Sequence, residues 1–127
     1  MIFLASPYAS PVPAVREARY EAARAAAARL AAAGRFVYSP IVHSHVVCAV
    51  PGAPPWDAVH WYEAAMDQLR RANEVWVLTT PGWQTSRGVA AEVSTAQVMG
   101  LPVRVCDPAT LSTQAYRFER QQREEHP

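Results

Sequence analysis

Lysine is absent from the sequence, because all 12 residues counted as lysine or arginine are arginine. A catalytic lysine Schiff base and the lysine of a P-loop are therefore both excluded. Cysteine is scarce as well, since Cys48 and Cys106 are the only two, and they form no C-x-x-C pair. Two such thiols make no disulfide framework.

Strong net charge and long apolar runs are also missing. The formal net charge is +1 and 18% of the residues are charged, which gives no electrostatic reason to expect a nucleic-acid polymer or a membrane surface as partner. No apolar run approaches the roughly 20 residues of a membrane span. The start, Met1 to Ser6, lacks the basic and long apolar regions of a signal peptide. We therefore expect a soluble cytoplasmic protein with a small-molecule partner.

The 127 residues suffice for one domain with a real core, but not for two. Short apolar runs predict four strands, at residues 2–5, 36–38, 74–79 and 102–106. Helical patterns extend over residues 14–33, 56–72 and 89–99. The tail after Asp107-Pro108 is weakly amphipathic. We assign residues 1–110 to the domain and residues 111–127 to a C-terminal helical tail.

Three segments carry more specific signals. Residues 14–33 are rich in alanine and contain no Gly or Pro, and Gly34 follows as the expected helix C-cap. Residues 41–55 contain Gly52 and three prolines, so we expect a long irregular loop there, of a kind that is often functional. Within residues 56–72, four side chains at helical spacing predict a stripe that faces the core: Val59, Tyr62, Met66 and Leu69.

Strands that alternate with helices predict an α/β fold, a three-layer sandwich with a mainly parallel sheet of four to five strands. In such sheets ligands bind beyond the carboxyl ends of the strands. Those ends carry residues 6–8, 39–45 and 81–88. The three loops should therefore meet at one rim of the sheet.

The most informative of these loops runs from Thr80 to Glu92 and leads from an apolar strand into a helix. Loop amides and the positive end of that helix suit an anionic or polyhydroxylated ligand, with the Glu92 carboxylate beside it in about the first helical turn. An ordinary acid on a solvated helix fits the position of Glu92 equally well. The Gly82-Trp83 turn, the trio Ser86-Arg87-Gly88 and the small residues beside Glu92 favour a functional site.

Asp67 and Tyr8 each have a structural and a functional interpretation. Asp67 is placed to pair on the surface with Arg70 or Arg71 at helical spacing, or to lie beside a ligand. Tyr8 either brings a phenol to the rim or covers the sheet edge. The loop serines lack a His–Asp partner in a nucleophile-elbow context, which argues against a serine hydrolase.

His43, His45 and Cys48 have the spacing H-x-H-x-x-C, so a catalytic zinc site with three ligands is an alternative. Histidines that line a pocket and donate hydrogen bonds to a ligand, beside a buried Cys48, fit the pattern better. Three tryptophans are candidates for stacking on a base: Trp56, Trp61 and Trp83.

Taken together, these residues resemble an uncharacterised branch of the nucleoside 2-deoxyribosyltransferase-like superfamily, which also includes nucleoside 5′-monophosphate N-glycosidases. The matching residues occur in order over about residues 2 to 106: Leu4-Ala5-Ser6-Pro7-Tyr8, Ser39-Pro40-Ile41 with His43 and His45, Asp67, Gly82-Trp83, Ser86, Gly88 and Glu92. The resemblance implies a flavodoxin-like fold and cleavage of a ribosyl or deoxyribosyl N-glycosidic bond. It also implies a homodimer or larger homo-oligomer.

The resemblance further implies roles for single residues. Glu92 matches the nucleophile that attacks the anomeric carbon, and Asp67 matches the aspartate that contacts the base and assists its departure. The segment from Ser6 to Tyr8 matches a loop that holds the sugar and the nucleophile. Ser86 and Gly88 match the residues that bind the 5′-phosphate in phosphate-using members. The remaining predicted substrate-binding residues are His43, His45, Gly82, Trp83 and Arg87.

The chemistry implied by the resemblance needs few groups. Loss of a base creates oxocarbenium-like charge on the sugar, which a carboxylate stabilises or traps, and no metal or cofactor is required. This chain has Asn73 where relatives often carry Asp, and Pro81-Gly82-Trp83 where transferases carry Asp-Gly, which favours hydrolysis. We therefore expect an N-glycosidase for a nucleoside 5′-monophosphate or related nucleotide. A nucleoside deoxyribosyltransferase and a non-catalytic nucleotide-binding module are the alternatives.

Overall fold

The computed structural model of the chain describes residues 1–52 and 58–118. Five strands form its sheet: Ile2–Ala5 (β1), Val37–Tyr38 (β2), Glu74–Leu78 (β3), Val103–Cys106 (β4) and Thr113–Ala115 (β5). The helices are Pro13–Ala32 (α1), Pro40–Cys48 (α2), Ala58–Leu69 (α3) and Arg87–Val98 (α4), with a 3₁₀ turn at Trp83–Thr85.

The strand order is β2-β1-β3-β4-β5, with parallel pairing from β2 to β4 and antiparallel pairing between β4 and β5. This is the flavodoxin-like order of doubly wound sheets. The predicted α/β fold with a mainly parallel sheet is thereby confirmed.

Both faces of the central strands are buried, as expected for a parallel sheet with helices on either side. Alternate residues of β3 face opposite layers: Val75 and Val77 pack with α3 and α4, whereas Trp76 and Leu78 pack with α1. On α1 the buried residues include Ala23 and Ala26, whose small side chains let this helix lie close to the sheet. The three layers predicted from the sequence are present.

The predicted helix over residues 14–33 is confirmed as α1, and so is its end at Gly34. Gly34 has φ +84°, a left-handed conformation that glycine adopts without steric cost. Its N–H donates to Ala31 O at 3.0 Å, and the N–H of Arg35 donates to Leu30 O at 3.0 Å. These bonds satisfy carbonyls at the helix end that have no intrahelical partner.

The predicted irregular loop over residues 41–55 is wrong in its first part, where α2 forms. Pro40 is the first helical residue, a position that needs no N–H donor and suits the fixed φ of proline. Ser39 caps the helix, since its Oγ accepts a hydrogen bond from the Val42 N–H at 3.2 Å. This short helix lies beside α1, a contact that the local sequence does not reveal. Residues 53–57 lie outside the described part of the chain.

The predicted core stripe of α3 holds for Met66 and Leu69, whereas Tyr62 is 48% exposed. Tyr62 lines a cleft instead of the core. The side chain of Val59 and the predicted start of this helix at Trp56 lie outside the described residues.

The predicted helical tail is wrong over Thr113–Ala115, which form β5. The cause is a turn at Asp107, whose Oδ1 accepts hydrogen bonds from the N–H groups of Ala109 and Thr110 at 2.8 and 3.0 Å. Such a turn reverses the chain and lets β5 pair with the edge of β4. Residues 119–127 lie outside the described part. Within residues 1–52 and 58–118, no helix is both long and apolar enough to cross a membrane.

Candidate functional site

A cleft of about 1060 Å³ opens at the carboxyl ends of β1, β2 and β3. It lies beside the point where the chain connections leave β1 and β3 for opposite faces of the sheet, the position at which open α/β sheets bind ligands. Its walls come from the β1–α1 loop, α2, α3 and the start of α4. The three loops predicted to meet at one rim therefore do meet there.

Glu92 is the acidic residue that lines this cleft. Its side chain is buried, and it makes no hydrogen bond or ion pair with any part of the chain that the structure describes. Burial raises the pKa of Glu92 from its ordinary 4.5 to about 8. The sequence places Glu92 in about the first turn of its helix. Because α4 begins at Arg87, Glu92 lies instead in the second turn. A buried, unpaired carboxyl in a cleft is a candidate for chemistry.

Ser6 lies directly after β1 and also lines the cleft. It is only 5% exposed, and its Oγ is the one fully buried side-chain polar atom without a hydrogen-bond partner among the described residues. Buried hydroxyls in folded proteins are nearly always hydrogen-bonded. The Ser6 hydroxyl is therefore a group that a bound molecule can satisfy.

The wall formed by the start of α4 contains the predicted residues Gly82, Ser86, Arg87 and Gly88. Ser86 caps α4 by accepting a hydrogen bond from the Val89 N–H at 3.2 Å, and its O–H stays available as a donor. Gly82 has φ +93°, which only glycine adopts without strain. A Cβ on Gly88 would meet no atom nearer than Ser86 Oγ at 3.9 Å, so the glycine leaves this wall open.

Tyr8 lines the cleft as predicted. His45 does not line the cleft and lies behind the Tyr8 side chain. The Tyr8 hydroxyl lies 2.8 Å from Nδ1 of His45, and Nε2 of His45 lies 3.0 Å from a carboxylate oxygen of Glu17. Burial raises the pKa of Tyr8, and the smaller effect of Arg16 lowers it. His45 thus acts on the cleft through Tyr8.

Arg16 and Arg19 line the cleft and were missed from the sequence. The guanidinium of Arg16 donates to Ser10 O, and that of Arg19 donates to Ala9 O at 2.8 Å. With Arg87, three arginines line the cleft, which favours an anionic ligand. The spacing of Arg16 and Arg19 on one helix face directly after the first loop is the signal that would have found them.

Aromatic side chains form another part of the lining: Tyr38, Trp61 and Tyr62. Trp61 was a candidate for base stacking, whereas Tyr38 and Tyr62 were missed. Burial raises the pKa of Tyr38, and the negative charge of Glu92 raises it further. Tyr38 lies at the end of β2, immediately before a predicted site loop, and this position is the sequence signal that would have found it.

Three predicted site residues lie elsewhere. Asp67 is exposed on α3 and pairs with Arg71 at 3.6 Å, the surface arrangement that its helical spacing allows. His43 is exposed and meets the ring of Trp61 edge-on, with the centroids 6.0 Å apart. Trp83 packs against the core. Predicted stacking by Trp56 falls outside the described residues.

The zinc alternative built on α2 also fails on geometry. His43 faces Trp61 and Tyr38, whereas His45 faces Tyr8 and Glu17. Among residues 1–52 and 58–118, no three His, Cys, Asp or Glu side chains are grouped to hold a metal ion. Cys48 is exposed at the cleft and not buried as expected.

The fold is similar to that of a 2-deoxyribosyltransferase from the psychrotolerant bacterium Bacillus psychrosaccharolyticus, with a TM-score of 0.57 and 17% identity. The similarity covers 99% of this chain and 91% of that one. At this identity the likeness shows a shared fold. No curated protein sequence matches the chain. A family model described as a domain of unknown function (DUF1937) matches residues 1–107. The chain therefore belongs to the DUF1937 family, within the nucleoside 2-deoxyribosyltransferase-like group that its motifs resemble.

Proposed function

We propose that this protein is an N-glycosidase that cleaves the base–sugar bond of a nucleoside 5′-monophosphate or related nucleotide. The observation that carries the proposal is Glu92, a buried carboxyl without an ion pair in a cleft whose lining also includes three arginines and four aromatic side chains. Each part of a nucleotide has a matching part of this lining.

Glu92 is the proposed nucleophile. Departure of the base leaves positive charge on the anomeric carbon, and a carboxylate beside that carbon stabilises the charge or bonds to it. Burial removes competing water and ion-pair partners from Glu92. Because its pKa is about 8 in the free protein, attack requires deprotonation, which the developing positive charge of the sugar favours.

The phosphate and the base have separate candidate walls. Ser86, Arg87 and Gly88 at the start of α4 offer a hydroxyl, a guanidinium and backbone N–H groups to a 5′-phosphate. Trp61 and Tyr38 offer ring faces and edges to a base. Asp67 points away from this cleft, so the proposal assigns no role to it.

Free base should be released from a panel of ribo- and deoxyribonucleoside 5′-monophosphates, more readily than from the matching nucleosides, as detected by chromatography. Replacing Glu92 with Gln removes the nucleophile at constant size and should lower the rate by at least about a thousandfold. Glu63→Gln, which changes an exposed acid on α3, is the matched control and should keep full activity. Full activity in Glu92→Gln would contradict the mechanism.

A nucleoside deoxyribosyltransferase is the second candidate, since the structurally similar protein carries that activity and the cleft is large for a single nucleotide. Addition of a second free base to the same assay distinguishes the two, because a transferase forms a new nucleoside or nucleotide and a hydrolase does not. Thermal stabilisation by nucleotides without any base release would instead indicate a binding module.

A further inference from the structure

Three side chains form a connected line of polar contacts behind the cleft, a hydrogen bond from Tyr8 to His45 and an ion-pair contact from His45 to Glu17. The Tyr8 hydroxyl is 2.8 Å from Nδ1 of His45, and the other ring nitrogen of His45 is 3.0 Å from Glu17. The ring of Tyr20 stacks on the imidazole, with the centroids 4.0 Å apart and the planes at 19°. Both nitrogens of His45 therefore have a defined partner, and its ring plane is held from one side.

The Glu17 carboxylate determines which ring nitrogen of His45 carries the proton. A carboxylate only accepts hydrogen bonds, so Nε2 of His45 must carry the proton that faces Glu17. In the neutral imidazole Nδ1 is then an acceptor, and the Tyr8 O–H donates to it. The phenol oxygen thus presents its lone pairs, and not its proton, to the cleft that Tyr8 lines.

The same three groups are arranged to move a proton. A carboxylate that holds an imidazole in one tautomer also stabilises the imidazolium that forms when the ring takes up a proton. The face of the Tyr20 ring adds a favourable cation–π contact to that imidazolium. The other charged or titratable groups near Tyr8 are Arg16 and Arg19, on the same helix as Glu17, and Cys48, on the same helix as His45. Because the Glu17 side chain is 59% exposed, solvent screens its share of the effect.

We propose that Tyr8 is the general base for the incoming water in the second half of the reaction, with His45 accepting the proton of Tyr8 and Glu17 as the positioning residue that orients His45. This inference rests on the proposed N-glycosidase function. The water oxygen bonds to the anomeric carbon, and the bond between that carbon and Glu92 breaks with its electron pair returning to the carboxylate. The water proton passes to the Tyr8 oxygen while the proton of Tyr8 passes to Nδ1 of His45. The imidazolium later releases that proton to solvent.

The first test separates the two halves of the reaction. Tyr8→Phe and His45→Gln should still release one base per active site in a rapid burst, after which turnover should be slower than in the wild type by about a hundredfold. The sugar should then be detected on Glu92 by intact mass spectrometry. Glu17→Gln should slow turnover less, and Glu21→Gln, an exposed acid one turn away on α1, should leave it unchanged.

Chemical rescue distinguishes a proton acceptor from a packing residue. Added imidazole should restore steady-state turnover to His45→Ala and leave Tyr8→Phe unchanged. Loss of the burst and of turnover in equal proportion in Tyr8→Phe and His45→Gln, with no rescue of His45→Ala, would overturn the relay.

A second measurement does not depend on activity. Long-range ¹H–¹⁵N NMR on the whole protein should show His45 as the Nε2–H tautomer, and Tyr8→Phe should shift its Nδ1 resonance. An Nδ1–H tautomer would overturn the relay, whatever the activity. The predicted tautomer in a wild-type protein that releases no base would overturn the N-glycosidase function together with the catalytic role of Tyr8.

Discussion

Glu92 combines burial with the absence of any positive partner in the described residues. Taking a carboxylate out of water disfavours its charged form, and an ion pair is the usual compensation. In this protein the carboxyl instead avoids the charge by staying protonated, because its pKa is raised to about 8. The carboxyl therefore enters a complex largely protonated at neutral pH and acquires full charge only when a ligand favours it.

This burial predicts a pH-dependent difference in stability between the wild type and Glu92→Gln. The folded state holds a proton on Glu92 up to about pH 8, whereas the unfolded chain releases it near the ordinary pKa of 4.5. Because the unfolded state binds fewer protons between these values, the free energy of unfolding of the wild type falls as pH rises through them. Glu92→Gln has no carboxyl to titrate, so its free energy of unfolding does not fall for this reason. Its relative stability should rise by up to about 1.4 kcal/mol per pH unit and level off above about pH 8.

Urea unfolding of both proteins between pH 4 and 9 measures this difference, since contributions from other groups cancel. Glu63→Gln serves as the control and should show a flat difference, because Glu63 is exposed. A flat difference for Glu92→Gln as well would contradict the raised pKa.

Single residues of the site were predicted unequally well. Ser6 and Tyr8 follow the end of β1, and Glu92 lies in the second turn of α4, positions that a parallel sheet brings to one rim. Asp67 occupies a helix face whose direction depends on how α3 is rotated against the sheet, and α3 turns it towards Arg71. That rotation is decided by packing and not by the neighbours of Asp67 in sequence.

At the scale of the elements, two serines determine where helices begin beside the cleft. Ser39 directly follows β2 and Ser86 directly follows the 3₁₀ turn, and each accepts a hydrogen bond from the N–H three residues later. The cap at Ser39 converts a segment with glycine and prolines close behind it into α2. Through α2 it also positions His45 behind Tyr8.

Removing the cap of α2 should destabilise the protein measurably. Ser39→Ala leaves the Val42 N–H without its partner and should lower the free energy of unfolding by about 1 kcal/mol, whereas Ser39→Gly should cost only a few tenths. Chemical denaturation measures both. Ser94→Ala, at an exposed position inside α4, is the control and should change stability by less than about 0.5 kcal/mol. Equal losses in Ser39→Ala and Ser39→Gly would show that the cap contributes nothing.

Elements with strong local signals were predicted well, and those that depend on a partner were not. α1 has continuous helix formers and a glycine at its end, so its prediction needed no tertiary information. β5 has only three residues and gains its hydrogen bonds from β4, which the turn at Asp107 makes accessible. Its local sequence has no strong strand pattern, and the prediction of a helix there was wrong.

At the scale of the whole molecule, sheet topology assembles the site from distant parts of the chain. Arg19 illustrates this, since its guanidinium donates to Ala9 O and approaches Gly82 so closely that a Cβ there would lie 2.5 Å from Nη2. It links the loops that follow β1 and β3.

Self-association stays a prediction for the whole protein. Exposed valines occur at the start of α1 and around the end of α2: Val12, Val15, Val46 and Val50. Exposed apolar side chains, where they form a contiguous patch, are typical of interfaces. Light scattering should therefore give at least twice the chain mass of 14.0 kDa.

A charge placed among these valines should reduce the assembly. Val46→Asp should shift the mass towards that of one chain, whereas Val98→Asp, at an 86% exposed position on α4, should not. A wild-type mass of one chain at tens of micromolar concentration would contradict the prediction.

The sequence by itself determined the α/β class, the parallel core and the rim at which the loops meet. These follow from local rules, because apolar runs make buried strands, capped alanine-rich segments make helices, and parallel strands end at one edge. Only the tertiary structure decided that Arg16, Arg19 and Tyr38 join the cleft, that Asp67 leaves it, and that Glu17 and His45 stand behind Tyr8. The physical reason is that the direction of a side chain and the burial of a charge depend on how elements pack, and packing partners are far apart in sequence.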